Sequence, residues 1–183
     1  MTPARFLIPL LVCLPALAFA AGTEEPVDET KPPETTATST KCEDGMVFVE
    51  DKQECVKADD SALNNDARFN AVRELAYAGK PEAALIVLSA MTEGDTPRVL
   101  TYKGFASRKA GKMEEGLAFY ELALEKNPNN ILTRSYMGQM FVELGELDMA
   151  KEQLAEIRKR GGEGTWAEAS LATAIETGKT MDY

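Results

Sequence analysis

Three glycines, Gly79, Gly111 and Gly145, stand 32 and 34 residues apart, and from about Asp66 onward apolar residues recur three and four positions apart between them. The recurrence is the period of a helix with one buried stripe. Glycine at a fixed interval supplies the turn from one helix to the next, because it takes a left-handed backbone with little strain. A single helix of this kind has nothing to bury its stripe against. Each needs a partner, and each pair needs the pair beside it. The expectation is an all-α stack of about three helical pairs over residues 65–178, closed by a C-terminal capping helix.

The best-formed unit runs from Pro97 to Asn130. Thr96 is placed to cap its first helix, with Pro97 in the first turn. Gly104 allows the paired helix a close approach, and Gly111 makes the turn. Gly116, Tyr120, Ala123 and Leu124 supply the inward face of the second helix. Asn127-Pro128 ends it, because proline disfavours helix in the residue before it. Moving 34 residues along, Gly138 falls under Gly104, Gly145 under Gly111, Ala150 under Gly116, Leu154 under Tyr120 and Ile157 under Ala123, while Gly162 stands in place of Pro128. The preceding unit, from about Asn65, keeps Gly79 at the turn with Ala84 and Leu88 in the second helix, but has Val72 where the others have glycine. The pattern over residues 65–162 resembles the tetratricopeptide repeat family, in particular small exported bacterial proteins of that kind. The resemblance implies a helix-hairpin superhelix whose first helices line a groove for a partner peptide or helix.

The flanking segments read differently. Arg5 is the only charge before an apolar run from Phe6 to Ala21, and Ala18-Phe19-Ala20 fits a small-x-small cleavage site, so residues 1–20 read as a signal peptide. Residues 21–41 are rich in Pro, Thr and Glu and nearly devoid of sizeable apolar side chains. Such a stretch buries too little to offset the entropy of ordering and is expected to be a disordered acidic linker. Residues 42–57 hold a short β-prone run, Met46–Val49, between Cys42 and Cys55, which reads as a hairpin or looped ribbon closed by a disulfide between them. Closing a loop of that size stabilises by about 3 kcal/mol on the chain-entropy view. After Gly164, Ala167, Leu171, Ala174 and Ile175 share one helical face, with Thr165 as cap, Gly178 as stop and Trp166 as an anchor against the last repeat.

Charge and composition narrow the function. The chain carries a net −10, and residues 21–60 account for most of it, with 12 acidic and 4 basic side chains. Nucleic acid requires the opposite balance. There is no histidine, which removes the commonest general base and metal ligand. Beyond the signal segment, Cys42 and Cys55 alone fall short of a zinc site, and Gly161-Gly162-Glu163-Gly164 lacks the strand and lysine of a phosphate loop. The expectation is a protein that is not an enzyme and needs no cofactor or metal. It has no membrane span once the signal is cleaved, and it works in the periplasm or outside the cell.

What remains is binding. Carried over from the resemblance, the groove positions fall on Phe69, Arg73 and Tyr77 in the first unit and on Arg98, Thr101, Phe105, Arg108 and Lys109 in the second. In the third they fall on Leu132, Ser135, Gln139, Val142 and Glu143. Four cations flecked with aromatics, in an acidic chain, suggest an acidic or carboxylate-bearing peptide as guest. The Lys and Asn positions of the family's carboxylate clamp are not reproduced. The acidic linker is a second candidate occupant, and a structural or assembly subunit of a cell-envelope complex is the alternative function.

Overall fold

The computed structural model of the chain describes residues 33–180. The signal-peptide reading of residues 1–20 and the first part of the acidic linker, 21–32, lie outside the described residues. The described chain is mainly helical, with one two-stranded sheet. Its elements are α1 (Ala37–Thr40), β1 (Met46–Val49), β2 (Glu54–Lys57), α2 (Asn65–Tyr77), α3 (Pro81–Ser89), α4 (Pro97–Lys109), α5 (Met113–Lys126), α6 (Ile131–Glu143), α7 (Leu147–Lys159) and α8 (Trp166–Thr177).

The three glycines sit at one and the same bend. Gly79, Gly111 and Gly145 all take positive φ, at 73°, 77° and 78°. In each case the amide after the glycine donates to a carbonyl five residues back: Lys80 to Leu75 at 2.9 Å, Lys112 to Ser107 at 2.9 Å and Glu146 to Phe141 at 2.8 Å. This six-to-one bond closes a helix whose next residue is left-handed. It turns α2 into α3, α4 into α5 and α6 into α7, each through three residues. The partners run antiparallel. A Cβ added at Gly104 would lie 2.5 Å from the Tyr120 ring, and one at Gly116 would lie 3.2 Å from the Arg108 amide nitrogen. The two glycines therefore let α4 and α5 touch backbone to backbone. At the corresponding place in the next pair, Gly138 lies against Leu171 of α8 and Gln153 of α7.

Successive pairs pack side by side. α2 touches α4, α4 touches α6 and α6 touches α8, while α3, α5 and α7 each lie against the following inner helix. α6 therefore has neighbours on α4, α5, α7 and α8, and all its residues from Leu132 to Val142 are buried. A helix enclosed on every side shows little amphipathic contrast, and its sequence accordingly mixes apolar and polar residues without a clean stripe. α8 buries Ala167, Leu171 and Ala174, starts at Thr165, whose hydroxyl accepts from the Glu168 amide, and stops at Gly178 with φ 70°. Asn64 and Asn130 cap α2 and α6 through their side chains. Thr96 does not cap α4: it makes no side-chain cap bond, and its hydroxyl is buried without a hydrogen-bond partner.

The N-terminal part differs from its expectation in one respect. β1 and β2 form the antiparallel hairpin, with Phe48 opposite Cys55, and Cys42 is bonded to Cys55. Residues 33–41, however, are not a loose linker. Thr38 and Ser39 are buried, held by the carboxylate of Glu74 on α2. That group accepts from the Thr36 amide at 2.8 Å, the Thr36 hydroxyl at 2.7 Å, the Ser39 amide at 2.9 Å and the Ser39 hydroxyl. The Phe48 amide donates to the Thr38 hydroxyl at 3.0 Å, tying α1 to the hairpin as well. Polar groups satisfied at long range order this segment, which its poverty in apolar side chains does not reveal.

Candidate partner-binding face

The inner helices α2, α4 and α6, with the start of α8, carry a continuous row of rings. Phe69 and Tyr102 meet edge-on at 5.1 Å between centroids, Tyr102 and Tyr136 at 6.1 Å, and Tyr136 and Trp166 at 6.2 Å. Phe105 sits 5.2 Å from Tyr77 and 4.6 Å from Tyr136, and the Tyr77 and Tyr136 hydroxyls are hydrogen-bonded to each other. Edge-to-face pairs of this kind add about 0.5–1.5 kcal/mol each beyond the area they bury. Tyr102 and Tyr136 are 34 residues apart, so the repeat register already held the signal for this row, although neither is among the expected groove residues.

Of the residues expected to line the groove, Phe69, Arg73, Thr101, Phe105, Arg108, Ser135 and Gln139 are buried. Tyr77, Arg98 and Lys109 are half-buried. The polar ones among them hold the layer together. Arg73 Nε donates to the Tyr102 hydroxyl at 3.2 Å. The Thr101 hydroxyl donates to the Pro97 carbonyl at 2.7 Å and is hydrogen-bonded to the Thr133 hydroxyl at 2.7 Å. Gln139 Nε2 donates to the Ser170 hydroxyl of α8 at 2.9 Å and to the Ser135 hydroxyl at 3.3 Å. Leu132 and Val142 are buried too, and Glu143 is exposed at the end of α6.

The cations fall into distinct environments. Arg98 pairs with Glu93 through two bonds of 2.8 Å and with Asp66 of α2 at 2.8 Å, its guanidinium lying 4.8 Å over the Phe69 ring. Glu93 above all, then Asp66, holds its pKa above the ordinary arginine value. Arg98 is thus a strut between α2, α4 and the loop before α4. Arg108 has no exposed side-chain surface. Its Nη1 donates to the Tyr136 carbonyl at 2.9 Å, its guanidinium stacks 5.3 Å from the Phe105 centroid, and its Nε stands 3.8 Å from a Glu143 carboxylate oxygen. Arg108 Nε and Nη2 and the Tyr120 hydroxyl are buried without hydrogen-bond partners. Burial also raises the pKa of Tyr120 and of Tyr136 well above the phenol range. Thr180, after α8, donates from its hydroxyl to the other Glu143 oxygen at 2.7 Å.

A cavity of about 450 Å³ opens beside this layer, where Pro33, Glu34 and Thr36 pass over Asn70, Arg73 and Glu74 of α2. Glu34 is the only acid of the 21–41 linker among the described residues, and it is exposed there. Glu74 is the residue of this region that sequence reasoning missed: a buried acid inside an apolar helix face was its only signal.

Among the described residues no helix is long and apolar enough to cross a membrane, and no group of three or more Cys, Asp or Glu is placed to hold a metal ion. The Cys42–Cys55 disulfide fits a non-cytoplasmic, oxidising compartment. No protein-family model, curated protein or solved structure matches the chain.

Proposed function

We propose that the chain is an exported interaction module of the tetratricopeptide type, which holds a partner peptide or helix along the α2–α4–α6 layer in the periplasm or outside the cell. The observation that carries this reading is the recurrence of one bend three times, with the same backbone bond at Lys80, Lys112 and Glu146. Identical bends at near-constant intervals lay one inner helix of each pair beside the next, and a layer of that kind is where the resemblance assigns the partner. Arg73 and Arg108 put positive charge inside that layer and Lys109 stands half-buried at the end of α4, in a chain of net charge −10, in keeping with an acidic guest. The guest first meets the half-buried side chains, Tyr77 and Lys109. Export rests on the signal-peptide pattern of residues 1–20 and on the disulfide.

A photo-crosslinking residue placed at Lys109 or Tyr77, with one at Leu122 on α5 as the outward-facing control, tests the reading in the native compartment. Leu122 is 43% exposed, so it reports on the opposite helix layer. The expected result is one partner captured from 77 and 109 and not from 122. Capture of further copies of the chain, or of one large assembly from all three positions, instead identifies a structural or assembly subunit and overturns the peptide-binding reading.

A further inference from the structure

A second cleft, independent of the inner helix layer, lies between the disulfide-closed hairpin and the last turns of α3. It measures about 580 Å³, within the size range of ligand pockets. Gly45 shapes it. With φ at 81°, this residue leads the chain into β1, and its carbonyl accepts from the Ala58 amide at 2.9 Å, so both ends of the hairpin are drawn together over α3. A Cβ at Gly45 would stand 2.9 Å from Ile86 Cγ2. Even so, Ile86 keeps 47% of its surface exposed, while its helix neighbours Val87 and Leu88 are buried. Met46, Ala58 and Ala90 continue the apolar floor.

The rim is mainly acidic. Glu43, Asp44 and Asp59 line the cleft against a single Lys57, and all four are exposed. Glu82, one turn before Ile86 on the same exposed face of α3, extends the acidic edge. The floor is also the C-terminal end of α3, whose carbonyls carry partial negative charge and favour a cation. These carboxylates are not gathered closely enough for a bare ion, since no metal-holding group occurs among the described residues. They suit positive charges spaced along a chain.

We propose that this cleft docks a basic segment of a partner protein, one apolar side chain entering beside Ile86 and flanking lysines or arginines meeting Glu43, Asp44 and Asp59. The charge complementarity of the rim selects that guest over an acidic one. The site therefore takes a segment of opposite charge to the one assigned to the inner layer, and neither reading depends on the other.

The test uses the full exported chain with its disulfide intact and a fluorescein-labelled peptide bearing one leucine between two pairs of lysines. Two control peptides replace the leucine by serine or the lysines by glutamates. Binding is expected from the first peptide only, with amide shifts centred on Asp44–Met46, Asp59 and Glu82–Ala90. Affinity should fall about tenfold, equivalent to 1.4 kcal/mol, in Ile86→Ser and in the double variant Asp44→Asn/Asp59→Asn. It should weaken as salt rises from about 0.05 to about 0.5 M, and Leu122→Ser should leave it unchanged. All altered positions are exposed, and circular dichroism checks that each variant folds. Failure of the lysine–leucine peptide to bind, unchanged affinity in the variants, or shifts on another acidic face each overturns the proposal.

Discussion

Gly104 and Gly111 are one residue type placed seven positions apart for two different reasons, and substitution separates them. At Gly104 the obstacle is space: a Cβ would lie 2.5 Å from two atoms of the Tyr120 ring and 3.1 Å from the Gly116 carbonyl oxygen. Gly104→Ala is expected to lower stability by about 1–3 kcal/mol, as overpacking does. At Gly111 nothing lies within 4 Å and the obstacle is φ, at 77°. Gly111→Ala is expected to cost about 1–2 kcal/mol. Gly111→Asn should recover part of that loss, because asparagine tolerates the left-handed region, whereas Gly104→Asn should be worse than Gly104→Ala. Urea midpoints of the four variants check the assignment.

The buried tyrosines give a second residue-scale prediction. The folded pKa values of Tyr120 and Tyr136 are raised by burial, above the ordinary phenol value of about 10. The stability linked to them is whole below that pH and is lost as pH rises toward the folded values, because the unfolded chain ionises first. Phenolate absorbance for these two should appear together with the loss of helical signal. Tyr120→Phe removes a buried hydroxyl that has no hydrogen-bond partner. It should therefore keep or raise the melting temperature, by up to about 1 kcal/mol of stability, and move alkaline unfolding to higher pH.

At the scale of elements, the shortest helix is the least expected one. α1 has four residues, too few to stand by itself, and Glu74 accepts from the amides and hydroxyls of both its cap, Thr36, and Ser39 within it. Glu74→Gln replaces a charged acceptor by a neutral amide with one acceptor oxygen. It is expected to loosen the docking of residues 36–41 by roughly 2 kcal/mol, the range for bonds to charged groups. Hydrogen exchange should quicken at Thr36–Lys41 and leave α4–α7 as they were; equal quickening throughout would assign Glu74 to the core at large. The same interplay explains Arg98. The resemblance assigns it to a groove for a guest, yet Glu93 and Asp66 on neighbouring elements hold it.

For the molecule as a whole, the consequence of stacking is that each end needs a cover. α8 covers α6 and α7, with Leu171 fully buried beside Gly138. Leu171→Ala is expected to cost about 2–5 kcal/mol, the range for a leucine removed from a packed interior. Unfolding should begin at the α6–α7 end, seen as earlier proteolysis there than at α2–α3 in a thermal series.

The sequence by itself determined the features that depend on a few consecutive residues: where each helix bends, where proline ends one, which cysteines can pair, and which face of α8 turns inward. These follow from backbone sterics and periodicity, which act over one or two turns and do not need the rest of the chain. Only the tertiary structure decided which side chains on the inner helices stay accessible, which cations are engaged by neighbouring carboxylates, why α1 is ordered, and that a cleft opens beside Ile86. Burial and pairing are set by what arrives from tens of residues away. Arg108 meeting Tyr136, or Thr36 meeting Glu74, is a property of how the helical pairs settle on one another and not of any local pattern.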